Sequence, residues 1–260
     1  MTTHPCDISI ALTCHREGLL AGLSIKSALR CIQEARKIDL SCELLVILDR
    51  SDSLTKATIT TALGSEEALI LETQFGDPGL ARNHASEACH GHYLSYLDAD
   101  DLWSYNWLTS AWLMLKKNPG IIAHSQCNIV FGDRNDVWWH VDSESSDFDP
   151  DYLAWSNYWD ALSFAQSEIY RRFPFRANNF EQGFGHEDWL WNHQTLMAGV
   201  AHRPVANTIH FKRARSSSQM SKVNDHGNLT WPDVQQQWLK RRASCLQLSP
   251  SEDGVSIYGT

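Results

Sequence analysis

The sequence predicts an α/β protein built on a doubly wound sheet. Short apolar runs typical of buried strands alternate with longer segments of helical spacing, so that strand, helix, strand, helix and strand follow one another within the first 72 residues. Acidic residues stand at or just after the ends of several apolar runs. A chain of 260 residues with 43% hydrophobic content is also large enough for one extensive core.

The first half contains the clearest element patterns. Residues 43–49 form a continuous apolar run, which is typical of a parallel strand covered on both faces. Asp52 precedes the next helical pattern and is a suitable N-cap for it. We predict strands over residues 7–14, 43–49, 68–71, 92–97 and 121–131, and helices over 19–37, 52–63, 77–88 and 104–117.

The second half differs in composition. Between Arg134 and Arg171 there is no Lys or Arg, and acids accumulate there among tryptophans, whereas residues 203–222 contain cations and no acid. A helix is predicted to open at 184–188, and a last amphipathic helix spans 233–248. We therefore expect a nucleotide-binding half over 1–133, an acceptor-binding and catalytic half of the same domain over 134–222, and a helical extension over 223–260.

Charge and composition exclude several classes of protein. The formal net charge of −9 argues against general nucleic-acid binding, and no apolar run approaches the length of a transmembrane helix. The N-terminus lacks the pattern of a secretory signal, and the seven cysteines form no Cys-x-x-Cys pair. We expect a cytoplasmic protein with reduced thiols and no nucleic-acid partner, with peripheral association at the inner face of the membrane left open.

Acidic residues follow three predicted strands. Glu17 follows the first, Asp49 ends the second, and Asp98, Asp100 and Asp101 follow the strand over 92–97. Ligands of open α/β sheets bind beyond the carboxyl ends of the strands. Carboxylates gathered at one edge suit Mg²⁺ or Mn²⁺, which can bridge to phosphate oxygens, although solvated aspartates that cap the next helix are the simpler alternative.

A longer motif favours the functional reading. The segment from Gly79 through Arg82 and Asn83 to the Asp-x-Asp-Asp motif at 98–101 resembles the corresponding stretch of glycosyltransferase family 2. Further matches come in order at 13–17, 48–51, 183–188 and the basic, serine-rich residues 211–221. The resemblance implies a GT-A fold, that is, a Rossmann-like nucleotide-binding mixed sheet flanked by helices with an acceptor-binding subdomain and a C-terminal helix. It also implies an inverting nucleotide-sugar glycosyltransferase.

The resemblance assigns roles to individual residues. Asp100 is the expected first metal ligand for Mn²⁺ or Mg²⁺, and Asp98 lies on the ribose or supports the metal. The residues expected to bind the nucleotide are Thr13, His15, Glu17, Asp49, Arg82, Asp98, Arg213 and Arg215. Guanidinium groups suit phosphate oxygens, so the basic residues 211–221 are predicted to form a mobile loop that closes over the diphosphate.

The Glu-Asp motif supplies the expected catalytic residues, Asp188 and Glu187. An inverting transfer needs a base for the acceptor hydroxyl, and a carboxylate at a helix start near tryptophans can have its basicity adjusted by burial and by the helix dipole. Indole faces stack on sugar rings, so the acceptor is placed at Trp189, Trp155 and Trp159. Two simpler explanations exist: the acids could only support the first turn of the helix, and the tryptophans could belong to the core.

The expected donor is a nucleotide-diphosphate sugar, most simply a UDP-sugar, and the expected acceptor is a glycan or a lipid-linked glycan. Two alternatives remain open at this stage. A sugar-phosphate nucleotidyltransferase would use a similar sheet but needs a Gly-rich basic loop after the first strand, where residues 14–18 offer one Gly and one Arg. The other alternative is a non-catalytic carbohydrate-binding protein on a transferase fold, against which the presence of both Asp100 and Asp188 argues.

Overall fold

The computed structural model describes residues 6–154, 156–215 and 240. In this part of the chain a nine-stranded mixed sheet is covered by helices, which confirms the predicted fold class. The strands are β1 (Cys6–Cys14), β2 (Cys42–Asp49), β3 (Leu69–Thr73), β4 (Gly91–Asp98), β5 (Leu102–Trp103), β6 (Ile122–Gly132), β7 (Asp136–Trp139), β8 (Phe164–Gln166) and β9 (His202–Ala214). The helices are α1 (Leu20–Arg36), α2 (Ser53–Leu63), α3 (Pro78–Ala88), α4 (Trp107–Lys117), α5 (Ser167–Arg172) and α6 (Glu187–Met197).

The sheet order is β3-β2-β1-β4-β8-β6-β9-β5, with β7 paired to β6. Strands β1 to β4 pair in parallel, whereas β8 is antiparallel to both β4 and β6. The carboxyl ends of β1, β2 and β4 therefore meet at one edge, and the register sets Thr13 beside Asp98. The topology thus brings together the strand ends that carry the sequence motifs.

Alternating residues of the central strands face two separate cores. Ile8, Ile10 and Leu12 of β1 pack in one cluster with residues of α1 and α4, whereas Ala11 faces a second cluster that includes residues of α3 and α5. The same alternation explains the continuous apolar run of β2, since both of its faces are covered. The cap predicted at Asp52 is confirmed, because its side chain accepts a hydrogen bond from the Thr55 N–H at 2.8 Å.

The structure contains elements that the hydrophobic pattern does not predict. These are the short strands β5, β7 and β8, the helix α5, and the strand β9, which includes residues 211–214 of the predicted basic loop. Residues 216–221 of that loop lie outside the described residues, as does the helix predicted over 233–248 apart from Lys240. Within the described ranges, no helix combines the length and the apolar composition needed to cross a bilayer.

Candidate active site

The acidic motif forms a turn that is tied to the first strand. Strand β4 ends at Asp98 and β5 begins at Leu102, so the aspartates occupy the connection between them. The Thr13 hydroxyl donates to Asp98 Oδ1 at 2.7 Å, and the Ala99 N–H donates to the Thr13 carbonyl at 3.0 Å. We call residues 98–101 the acidic turn.

Arg82 connects the acidic turn to the start of α6. Its side chain is 4% exposed, and Nη2 donates to both carboxylate oxygens of Asp98 at 2.9 and 3.2 Å. Its Nη1 donates to Glu187 Oε1 at 2.9 Å. Burial raises the pKa of Asp98, but the charges of Arg82 and Lys212 outweigh burial and bring the pKa below its ordinary value. One buried guanidinium therefore joins two motifs that are far apart in the chain.

The start of α6 presents two adjacent carboxylates in different environments. Glu187 is held by Arg82 and by Asn178, whose Nδ2 donates to Oε2 at 3.0 Å. Asp188 Oδ1 accepts from the Trp189 N–H at 2.7 Å. Burial raises the pKa of Asp188 to about 7, and the neighbouring Glu187 charge contributes to the rise, while Lys212 and Arg82 oppose it. Asp188 is therefore more basic than an ordinary aspartate.

Cations from the end of β9 face the rest of the acidic turn. Arg215 Nη2 lies 2.5 Å from Asp100 Oδ2. The Arg213 N–H donates to Asp101 Oδ1 at 2.7 Å, and its Nε donates to the Asp100 carbonyl at 3.3 Å. Burial raises the pKa of Asp100, and the Arg215 charge opposes the rise. The sequence predicts that both arginines lie near the diphosphate site, and the structure places them beside the acidic turn.

Lys212 and Asp160 form a buried ion pair beside this turn. The sequence analysis includes Lys212 among the basic residues 211–221 but does not assign Asp160 to the site. Lys212 Nζ lies 3.2 Å from Asp160 Oδ2 and 4.0 Å from Asp101 Oδ2. Although burial raises the pKa of Asp160, the Lys212 charge lowers it to about 2. The signal for Asp160 is that it stands alone as an acid in the otherwise uncharged run 158–165. Asn178, by contrast, has no distinguishing sequence signal.

Three predicted nucleotide ligands lie at the ends of β1 and β2. His15 Nδ1 donates to the Asp49 carbonyl at 2.7 Å, and Glu17 accepts from the His15 N–H at 2.7 Å. Burial raises the pKa of Glu17, and the Asp100 charge adds to this effect, so Glu17 lies within electrostatic range of the acidic turn. The Asp49 carboxylate instead accepts from the Thr73 hydroxyl at 3.0 Å and the Gly76 N–H at 2.7 Å. Asp49 therefore faces the β3 side of this edge.

The predicted acceptor tryptophans have different surroundings. Trp189 is half-buried, and its Nε1 donates to the Leu153 carbonyl at 2.8 Å. Trp159 is fully buried, donates to the Val141 carbonyl at 2.8 Å and stacks on His202. Its burial leaves no ring face open to a sugar, so Trp189 is the one of the two whose surface is accessible. Trp155 lies outside the described residues.

The carboxylates of the acidic turn fit a hard cation that is held partly by the donor. Asp98 and Asp100 present carboxylate oxygens at this turn, and each is paired with an arginine, Asp98 with Arg82 and Asp100 with Arg215. Among the described residues, no cluster of three or more His, Cys, Asp or Glu side chains is arranged to hold a metal by itself. Mg²⁺ and Mn²⁺ sites commonly take one or two carboxylates and complete their shell with substrate phosphates, which is the kind of site this turn can form.

The site therefore combines an acidic turn at the ligand-binding edge of an open sheet with facing arginines and a carboxylate of raised basicity. The sequence profile of Glycosyl transferase family 2 matches residues 9–178. The chain belongs to this family, which confirms the family and the class of enzyme that the motifs predict. None of the curated proteins matches the chain significantly.

Solved structures of similar fold share little sequence with this chain. S. aureus TarS has a TM-score of 0.61 at 13% identity, over 84% of this chain and 38% of TarS. TarS 1–349 in complex with UDP-GlcNAc has a TM-score of 0.57 at 15% identity, over 83% and 60% of the two chains. The mannosyltransferase PcManGT from Pyrobaculum calidifontis, in complex with GDP-Man and Mn²⁺, has a TM-score of 0.59 at 16% identity, over 85% and 60%. The similarity establishes the fold, and this chain spans less than two thirds of each of these proteins.

Proposed function

We propose that this protein transfers a sugar from a nucleotide-diphosphate sugar to a glycan or lipid-linked glycan with inversion, and that Asp188 is the general base. The observation that carries the proposal is the bridge made by Arg82 between Asp98 and Glu187. It fixes the acidic turn, where a diphosphate would bind, next to the helix start that presents Asp188. A leaving group and a base can then act on opposite sides of one sugar.

The transfer uses the residues in the following way. The acceptor hydroxyl oxygen attacks the anomeric carbon from the face opposite the diphosphate, while Asp188 takes the hydroxyl proton. The bond between the anomeric carbon and the diphosphate oxygen breaks, and its electron pair leaves with the diphosphate. A pKa of about 7 makes Asp188 more basic than an ordinary aspartate and leaves a large share of it ionised at neutral pH.

The donor is bound along the edge described above. Arg213 and Arg215 face the diphosphate, and Thr13, His15, Glu17 and Asp49 surround the nucleoside, which is proposed to be uridine. Asp100, together with Asp98, would hold Mn²⁺ or Mg²⁺, which supplies positive charge to the leaving diphosphate. Structures of similar fold with bound UDP-GlcNAc, or with GDP-Man and Mn²⁺, support this choice of donor and metal. On the acceptor side, Trp189 is the proposed stacking surface.

The first test identifies the nucleotide by thermal unfolding with UDP, GDP, dTDP and CMP, each with Mn²⁺ and with EDTA. One nucleoside diphosphate should raise the melting temperature with Mn²⁺ because a ligand stabilises the state that binds it. The Asp100→Ala variant should lose this metal dependence. Equal stabilisation with EDTA and with Mn²⁺ would contradict the metal assignment.

The second test separates binding from chemistry. Asp188→Asn should bind nucleotide as the wild type does and lose transfer by about 100-fold or more, the size expected for a lost general base. The matched control is Glu67→Gln, which changes an exposed carboxylate two residues before β3 and should leave transfer at the wild-type rate. Near wild-type transfer by Asp188→Asn would move the role to Glu187. Release of pyrophosphate from a nucleoside triphosphate and a sugar 1-phosphate would indicate a nucleotidyltransferase.

A further inference from the structure

The ion pair of Asp160 and Lys212 is largely buried. Asp160 is 1% exposed, and the Lys212 side chain is 17% exposed. Removing two charges from water costs free energy that their attraction often fails to recover, so a buried pair is weak support for stability. A role in the chemistry of the site is the alternative explanation for keeping it.

The position of the ammonium group connects this pair to the site. Lys212 Nζ lies 4.0 Å from Asp101 Oδ2 in addition to its contact with Asp160. Burial lowers the pKa of Lys212, but the charges of Asp160, Asp101, Asp98 and Asp188 outweigh burial and raise it, so the side chain stays protonated. A single cation therefore lies beside the acidic turn and within electrostatic range of Asp188.

Asp160 is itself held from behind by rigid partners. Asn128 Nδ2 donates to its Oδ2 at 2.7 Å, and the Leu162 N–H donates to its Oδ1 at 3.0 Å. Asn128 is fully buried on β6, the strand that pairs with β9 and sets Val130 beside Lys212. One of the two partners of Asp160 therefore lies on the strand next to the one that carries the lysine.

We propose that Asp160 is a positioning residue of the transfer site, which anchors the Lys212 ammonium where its charge serves the acidic turn and Asp188 together. This inference rests on the proposed function. Without the Asp160 charge, Lys212 shifts toward Asp101 and the acidic turn, and its attraction for the Asp188 carboxylate weakens. The chemical step then slows, whereas donor binding through Arg82, Arg213 and Arg215 is retained.

The test is a double-mutant cycle on the rate of sugar transfer, with kcat and the donor KM measured for wild type, Asp160→Asn, Lys212→Met and the double variant. Asp160→Asn removes the charge and keeps one oxygen, which can still accept from either Asn128 or the Leu162 N–H. Lys212→Met leaves Asp160 buried without its counter-ion, so thermal unfolding of each variant is recorded, and the double variant provides a reference without either charge. The exposed pair of Lys56 and Glu72, 2.7 Å apart, is the matched control as Lys56→Met and Glu72→Gln.

The expected result is a fall in kcat of about 10-fold or more in Asp160→Asn, with the donor KM changed by less than about threefold. The double variant should be no slower than Lys212→Met within about twofold, because Asp160 acts through Lys212. Losses that multiply in the double variant, or an unchanged kcat in folded Asp160→Asn, would overturn the proposal. A wild-type protein that transfers no sugar from any donor would overturn the proposed function and this inference together, which distinguishes the two failures.

Discussion

Asp188 and Glu187 are adjacent in sequence but differ in their partners. Glu187 is neutralised by Arg82 and bound by Asn178, whereas Asp188 accepts a hydrogen bond from the following Trp189 N–H. Under the proposed function, Glu187 holds the structure and Asp188 takes the proton. The sequence motif predicts both residues, but it does not predict which partner each one takes.

The raised pKa of Asp188 predicts a pH dependence of transfer. Burial and the neighbouring Glu187 raise the pKa to about 7, and the base works only when it is deprotonated. We therefore expect kcat/KM to rise with pH and to level off above an apparent pKa of about 7, measured as initial rates between pH 5 and 9.

Glu187→Gln provides the internal check on this profile. Removing the adjacent negative charge lowers the pKa of Asp188, so the rising limb should move to lower pH even if the maximal rate falls. A limb in wild type near 4, the range of an ordinary aspartate, would show that Asp188 is not the titrating base.

At the scale of elements, the predictable parts are those determined by local pattern. Strand β2 contains a continuous apolar run, and helices of the parallel half carry recognisable starts such as Asp52 and Asp77. Strands β5, β7 and β8 have only two to four residues, and such short strands depend on partners far away in the chain.

Strand β9 illustrates why the charge pattern of the sequence does not predict its end as a strand. Lys212 and Arg213 follow one another at its end, which is typical of an exposed loop. The pattern contains no information about Asp160, more than 50 positions earlier, whose carboxylate allows Lys212 to be buried. The same limit applies to the site, because the contact of Arg82 with Glu187 spans 105 positions.

The close approach of β1 and β4 gives a prediction about stability. A Cβ added at Gly91 would lie 2.5 Å from the Ser9 nitrogen and 2.9 Å from the Ile8 carbonyl carbon, both backbone atoms of the neighbouring strand. Gly91→Ala should therefore force the strands apart and lower the free energy of unfolding by about 1–3 kcal/mol. Chemical denaturation of the purified variant measures this change.

Gly120→Ala is a suitable comparison for that experiment. Gly120 has a φ of +85° but no atom within 4 Å of an added Cβ, so its substitution reports backbone strain alone, about 1–2 kcal/mol. If Gly91→Ala lowered the free energy of unfolding by clearly less than this, the strands could accommodate a Cβ at position 91 and the prediction would be wrong.

At the scale of the whole molecule, the second half of the sheet is held by buried polar groups. The buried histidines with lowered pKa are His124, His140, His193, His202 and His210. His124 is hydrogen-bonded to His202 at 2.9 Å, and His202 to Thr195 at 2.8 Å, so this network joins β6, β9 and α6. The cysteines of the described residues are all free thiols and add no crosslink.

His210 gives the clearest prediction about acid stability. It is fully buried against Trp107, neither ring nitrogen has a hydrogen-bond partner among the described residues, and burial lowers its pKa to about 3. Below the unfolded value of 6.5 the unfolded chain binds a proton that the folded chain does not, so stability is lost as pH falls. Relative to wild type, His210→Phe should gain about 2 kcal/mol between pH 7.5 and pH 5.

Urea unfolding of both proteins at the two pH values measures this difference directly. Comparing the two proteins at each pH cancels the contributions of the carboxylates that titrate in the same range. A stability difference that stays constant with pH would mean that His210 is protonated as easily in the folded protein as in the unfolded chain.

The pairing of β5 with β9 also limits how this family member can change its length. Leu102 pairs with Phe211 and Trp103 with His210, so the residues just before β5 and just after that pairing in β9 lie opposite each other. Those residues are the acidic turn on one side and Lys212 and Arg213 on the other. An insertion or deletion of one residue in either segment would reverse which face each side chain occupies and separate the charges. Chain length between 98 and 103 and between 210 and 213 is therefore fixed more strictly than in the surface connections, where insertions are tolerated.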